Sequence, residues 1–320
     1  MAAMVCFRLQ SRWLGVALLA ALTGTGSMIR ATGAEPEAGP VLTTDGLGVD
    51  QSGRLQEGAV TVQVAVTQPA SAQAESQRGG GPVSQAVATV LVKGVQVGVL
   101  KGPLLSAAMK GAAVVQIVDL DPTNVYPEVL LSAFTGGAHC CNQVQVLTRL
   151  RGEAAWRIVA LEPFNGGPAP ARSPLGGTVP LVVSADDRFL YAFACYACGR
   201  APTRLWQLSG DRFVDVSHQP RYRPLYRREL ESYQDLLEQS PQPDGNPNGW
   251  LAAYVATKAL VGERGQGWQQ MLKRYSPTSD WGLKACLGGY GSKGCRTPEV
   301  VYPNFPEALK AFLQRNGYWN

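Results

Sequence analysis

Three groups of residues in this sequence have the types and spacing to do chemistry. Asp119-Leu120-Asp121, followed by Glu128, alternates carboxylates ahead of an apolar run. Calcium gathers several carboxylate and carbonyl oxygens around one point, and a tight loop can offer them from alternate residues. That makes Asp119, Asp121 and Glu128 a candidate calcium set, although Thr123 stands at the third expected acidic position. The other reading is that Asp119 and Asp121 form a turn and accept hydrogen bonds from nearby amides. The second group is Gly136-Gly137 followed by His139-Cys140-Cys141. A glycine pair can turn its amides into a nest for an anion, or simply let the backbone turn tightly. His139 is the candidate binding residue of that turn and, with His218, one of two histidines in the chain. The third group is Cys195-Tyr196-Ala197-Cys198.

The cysteines admit three readings: structural disulfides, a tetrahedral zinc site completed by His139, or a redox-active Cys195/Cys198 dithiol. Compartment decides among them. Arg8 and Arg12 precede an apolar run, WLGVALLAALTG, too short to span a bilayer, and Ala31-Thr32-Gly33-Ala34 offers a cleavage site. Residues 1–34 therefore read as a secretory signal peptide, and the protein as exported to the periplasm or outside the cell. No later segment is apolar for long enough to span a membrane. Cys6 leaves with the signal, so six of the seven cysteines remain: Cys140, Cys141, Cys195, Cys198, Cys286 and Cys295. An even number in an oxidising compartment reads first as disulfides. Cys286 with Cys295 closes LGGYGSKG. The HCC turn and the CYAC segment are expected to clamp two sheet units together, with their connectivity open. The redox reading wants its first cysteine at a helix N-terminus, and FLYAFAC is strand-like.

Enzyme templates are missing: there is no G-x-S-x-G, H-E-x-x-H, C-x-x-C-H or phosphate-binding loop. A hydrolase would have to use His139 or His218, and Asp186-Asp187 reads as a turn. The net charge of +5 is modest, and its cluster Arg221, Arg223, Arg227 and Arg228 lacks the aromatic interleaving of a nucleic-acid surface. The expected function is non-enzymatic binding of a ligand or cell-envelope component. Hydrolysis, or thiol–disulfide exchange at Cys195 and Cys198, is the alternative.

The elements that must position these residues form an α+β fold. Residues 35–58 read as a flexible lead-in. Residues 59–217 read as an antiparallel β domain, propeller-blade-like or sandwich-like, beginning with the alternation of AVTVQVAV. Within it lie two similar units, about 113–162 and 179–217. Leu131 matches Leu190, Phe134 matches Phe193, Gly152 matches Gly210 and Trp156 matches Phe213. Arg188 to Ala194 is accordingly expected to be a strand, as Glu128 to Phe134 is. Residues 218–320 form a helical region: a stripe over Tyr226 to Gln239, then Gly249 to Leu260, Gln266 to Tyr275 and a short Asp280 to Leu287. The last helix is capped by Asn304 and stopped at Gly317.

The run D-L-D…P-E-V-L…F-T-G-G-A-H-C-C resembles a group of exported bacterial proteins in which a D-x-D-x-D-G-x-P-E segment leads into a strand and then S/T-G-G-A-H-C-C. That segment is in turn similar to the calcium loops of FG-GAP and integrin-type propeller blades. The resemblance implies export and a β-rich centre, with Asp119, Asp121 and Glu128 as the residues that would hold calcium. It does not reach the helical region.

Overall fold

A computed structural model describes residues 38–48, 50–69, 83–106, 113–137, 140–176, 179–238, 246–292 and 294–319. The expected signal peptide and His139 lie outside these residues, as do most of the glycine-rich loop before Val83 and most of the loop before Asn248.

Three antiparallel sheets and a helical layer stack in chain order. The stretch expected to be a flexible lead-in instead supplies two strands, β1 (Val41–Thr43) and β2 (Ser52–Glu57). β1 is held by β7, with Gln116 opposite Val41, a partner distant in sequence that local composition does not reveal, while β2 forms a tight hairpin with the strand that follows it. The first sheet runs β2, β3 (Val60–Thr67), β4 (Val83–Val92) and β5 (Val95–Lys101), with β6 (Leu105–Ser106) paired to β4. β4 turns into β5 through Lys93 and Gly94, both at positive φ (51° and 81°). This is the backbone a two-residue hairpin needs to follow the strand twist. The second sheet has the order β1, β7 (Ala113–Val118), β8 (Glu128–Phe134), β9 (Asn142–Thr148) and β10 (Arg157–Phe164). The third is β11 (Val182–Ala185), β12 (Thr203–Ser209) and β13 (Arg212–Asp215).

Strand periodicity decides which layer each residue joins. Side chains alternate between the two faces of a strand. Val115, Ile117, Val129 and Leu131 pack against Val62, Val64, Val90 and Leu100 of the first sheet, so these two sheets form a sandwich. On the other face, Leu130, Val144 and Val146 meet Val182 and Leu208 of the third sheet. With both faces covered, β7 is buried along its whole length, apolar except for Gln116, whose side chain bonds the Ala171 backbone.

The third sheet in turn carries the helices α1 (Arg223–Glu231), α2 (Gln234–Glu238), α3 (Asn248–Leu260), α4 (Arg264–Leu272) and α5 (Phe305–Arg315). Leu181 and Leu205 enter a core with Tyr226, Leu251, Val255, Met271 and Leu309. α3 is buried on nearly every face, which its near-continuous apolar sequence requires. At α5 the Asn304 side chain accepts from the Glu307 amide at 3.0 Å, as its cap position demands. The short helix expected over Asp280 to Leu287 is absent. Gly282 takes φ 79°, and β14 (Lys284–Ala285) pairs with β17 (Val300–Val301), beside the hairpin of β15 (Tyr290–Gly291) and β16 (Gly294–Cys295).

The strand expected over Arg188 to Ala194 is also absent. Asp186 caps a single 3-10 turn over Asp187–Phe189, and Tyr191 then reverses the chain at φ 63°. The apolar residues of this stretch are claimed by the helical core: Phe189 and Phe193 each meet Phe312 edge-on, at 4.9 Å and 5.3 Å between ring centres. What the matched units share is therefore a hairpin. β9–β10 and β12–β13 each turn at a left-handed glycine, Gly152 and Gly210.

Candidate functional site: a cleft at the Cys195–Cys198 pair

The acidic turn folds inward. Glu128 is fully buried; its Oε2 accepts from the amides of Leu120 (2.8 Å) and Asp121 (3.1 Å). Its Oε1 accepts from Asn124 Nδ2 (2.7 Å) and Thr148 Oγ1 (3.0 Å). Asp121 accepts from the Thr123 amide and hydroxyl through Oδ1, and from the Gly210 amide through Oδ2 at 3.3 Å. Asp119 stays exposed. Among the described residues no group of three His, Cys, Asp or Glu side chains could hold a metal. Protein donors occupy the carboxylate oxygens of Glu128 and Asp121 that the expected calcium set would use.

Thr135 to Gly137 and Cys140 to Cys141 lie close together. Gly136 takes φ 87°, and a Cβ on Gly137 would strike the Cys140 carbonyl. The Thr135 amide donates to the Cys141 carbonyl at 2.8 Å, and the Cys141 amide to Thr135 Oγ1 at 2.9 Å. The described cysteines all pair locally: Cys140 with Cys141, Cys195 with Cys198, Cys286 with Cys295. The clamp expected between the HCC and CYAC segments is not formed. It rested on a second strand before Cys195, and that segment is a turn.

His218 is exposed, its ring 5.3 Å from that of Tyr318. The nearby Ser217 hydroxyl is already committed, donating to Asp215 Oδ1 and accepting from the Leu205 amide at 2.9 Å. This is not the geometry of a nucleophile and its base.

Chemistry gathers instead at Cys195 and Cys198. Their Cα atoms are 5.0 Å apart, Cys195 caps a 3-10 turn over Tyr196–Cys198, and Cys198 is exposed. The amides of Cys198 and Gly199 both donate to the Cys195 carbonyl, at 3.0 Å and 3.2 Å, so the turn has its own backbone support. The first turn of α3 presses against this loop: a Cβ on Gly249 would stand 2.6 Å from Ala194 Cβ and 3.1 Å from Gly199 Cα. Only glycine lets the helix approach so closely. Asn246 fixes the entry, its Nδ2 donating to the Phe193 carbonyl at 3.2 Å and its Oδ1 accepting from the Asn248 amide at 3.1 Å.

A cleft of about 560 Å³ lies at this junction, lined by both cysteines, Arg200, Leu236, Asn246, Trp250 and Trp281 among others. Trp281 is held by its indole N–H on the Tyr191 carbonyl at 2.9 Å. The Trp250 indole N–H, by contrast, is buried with no acceptor among the described residues. Arg200 donates to Ser232 Oγ at 3.0 Å and lies over the Tyr233 ring at 5.1 Å. A larger groove of about 1120 Å³ runs beside α3 and α4. Its cations are largely engaged, with Lys258 on Glu263 at 2.6 Å and Arg274 on the Leu237 carbonyl at 3.2 Å, and no cysteine lines it.

Glu229 is half-buried, its Oε1 accepting from Thr257 Oγ1 at 3.3 Å. Burial raises its pKa, partly offset by hydrogen bonds from Thr203 and Thr257 and by the Arg200 charge, and its Oε2 has no partner among the described residues. A carboxyl with a raised folded-state pKa contributes stability below its unfolded pKa and loses it as pH rises through the folded value. Glu229→Gln is therefore expected to flatten the fall in urea resistance from mildly acid to neutral pH. At neutral pH it should gain about 1 kcal/mol, since no buried charge remains to be solvated. Parallel pH profiles for the two proteins would remove this account.

Apart from the two cysteines, the cleft residues carried no motif. The available signal was a glycine one residue into an apolar helix, flanked by Asn246, Asn248 and Trp250.

Stacked antiparallel sheets bearing a helical cap, with a cleft at a short disulfide loop, define the class of this α+β protein. Residues 226–317, most of the helical layer, match the family model described as the sll0997 C-terminal domain. The chain is 42% identical over 230 residues, 72% of its length and 67% of the relative's, to the probable thylakoid lumen protein sll0997 of Synechocystis sp.. It belongs to the family of that protein. It is also 32% identical over 206 residues to the uncharacterized protein y4bJ of Sinorhizobium fredii, covering 64% of this chain and 32% of that one. The chain thus spans about a third of the length of y4bJ. No solved structure matches.

Proposed function

We propose that this is an exported, disulfide-containing protein that binds a ligand or cell-envelope partner in the cleft beside Cys195 and Cys198. Export is supported by the leader-like N-terminal sequence and by the printed name of the relative, a probable thylakoid lumen protein. For this chain the compartment is the periplasm or the cell exterior. Among the described residues no helix is long and apolar enough to cross a membrane. The observation that carries the binding site is the cleft itself, whose wall sets Trp250 and Trp281 beside the two cysteines and Arg200. Trp281 and Leu236 supply apolar surface and Arg200 a cation, so the cleft favours an aromatic or apolar group bearing an acceptor or negative charge.

Anilinonaphthalene sulfonate, aromatic and anionic, is the probe. The native protein is expected to enhance its fluorescence. Trp281→Ala and Arg200→Ala should each weaken that binding by about tenfold, the loss of one aromatic or charge-assisted contact. No enhancement, or binding by both variants as tight as that of the native protein, overturns the cleft as a binding site.

A further inference from the structure

We infer that the Cys195–Cys198 disulfide exchanges with a pair of cysteine thiols on an exported partner protein seated in the cleft, an inference that rests on the cleft being a binding site. Three observations lead there. The disulfide lines a cleft, and Cys198 is exposed while Cys195 is half-buried, so an incoming thiolate can reach one sulfur more readily than the other. The loop it closes spans three residues in sequence and is already held by the bonds from the Cys198 and Gly199 amides to the Cys195 carbonyl. Closing so short a loop constrains the unfolded chain least, which leaves little structural need for the bond. Finally, the first turn of the thirteen-residue α3 packs through Gly249 on Ala194 and Gly199, which flank the pair, and its Trp250 lines the same cleft as both cysteines. The positive end of a helix dipole favours a thiolate, and thiolate stability governs both attack and departure in exchange.

The step balances as follows. A partner thiolate attacks Cys198 Sγ; a mixed disulfide forms as the Sγ–Sγ bond breaks, and Cys195 leaves with the electron pair as a thiolate. The partner's second thiol gives its proton to solvent and attacks the partner sulfur of the mixed disulfide. Cys198 then leaves as a thiolate, and solvent returns protons to both sulfurs. The partner is oxidised by two electrons and the Cys195–Cys198 pair is reduced by the same two.

The test uses the full chain with oxidised glutathione as probe. Cys195→Ser is expected to take up one glutathione on Cys198, at least about tenfold faster than Cys198→Ser takes one up on the less accessible Cys195. Its rate should reach half-maximum below the ordinary thiol pKa of about 8.5. Equal rates, or a half-maximum at the ordinary thiol value, overturn the inference. If either variant fails to fold, the wild-type protein is titrated with dithiothreitol and its thiols are mapped. Cys195 and Cys198 should open while the chain remains folded, and opening only on unfolding overturns the inference. Dye binding in the cleft with equal exchange rates would remove the exchange and leave the binding site. Fast exchange at Cys198 without dye binding would instead overturn the cleft as the partner's seat.

Discussion

Asp186→Ala is expected to lower the unfolding free energy by about 3 kcal/mol, the scale of breaking a buried ion pair from one side. The Asp186 carboxylate is fully buried and accepts from Arg188 Nε (2.7 Å), Arg188 Nη2 (2.5 Å), the Arg188 amide (3.2 Å) and Tyr318 Oη (2.9 Å). The last of these bonds ties the end of the chain to the turn after β11, 132 residues earlier. Burial, followed by the charge of Asp186, holds the Tyr318 hydroxyl protonated well above its ordinary range, so in the native protein it stays a donor. Removing the carboxylate strands that buried hydroxyl. The Arg188 side chain is 40% exposed and can turn to water, which keeps the cost below the upper end for such pairs. Tyr318→Phe removes one bond and should cost about 1 kcal/mol. Urea unfolding followed by circular dichroism separates the two; an unchanged midpoint for Asp186→Ala would sink the argument.

Glu128→Ala should be comparably severe, at about 3 kcal/mol. Four donors converge on its carboxylate, two of them backbone amides of the turn that leaves β7. Alanine leaves them facing a buried gap. Burial raises the pKa of Glu128, while the bonds from Asn124, Asp121, Thr148 and Leu120 pull the other way. The same donor set makes a second outcome testable: adding calcium, or a chelator, should leave the wild-type melting temperature unchanged. A large stabilisation by calcium would show that the turn opens to bind it and that the hydrogen-bonded geometry is not the working one.

Much of the fold was legible because it is written in periodicity. The alternation of Val60 to Val66, the Lys93-Gly94 turn, the buried run Ala113 to Val118 and the Asn304 cap each reflect local physics acting on neighbouring residues. The misreadings share one cause. Arg188 to Ala194 has the composition of a strand, but no partner strand is presented to it. Phe305 and Phe312, more than a hundred residues later, offer its aromatics a better burial. The start of residues 41–57 is ordered from elsewhere in the chain, by Gln116 opposite Val41, whereas β2 is completed locally by its hairpin with β3. The candidate site divides in the same way. Its cysteines were visible at once, while Gly249, Trp250 and Trp281 carried no motif, and the packing of the helix that begins at Asn248 against Ala194 and Gly199 was not legible.

By itself, then, the sequence determined the α+β class, the order of strands before helices, and which residues could do chemistry, because residue type and local spacing are local facts. Only the tertiary structure decided that Glu128 spends its oxygens on protein donors, that each described cysteine pairs within its own loop, and that α3 packs its first turn against Ala194 and Gly199, which flank the Cys195–Cys198 pair. Those outcomes depend on which distant groups compete for the same atom or surface, and that competition is settled only when the layers pack.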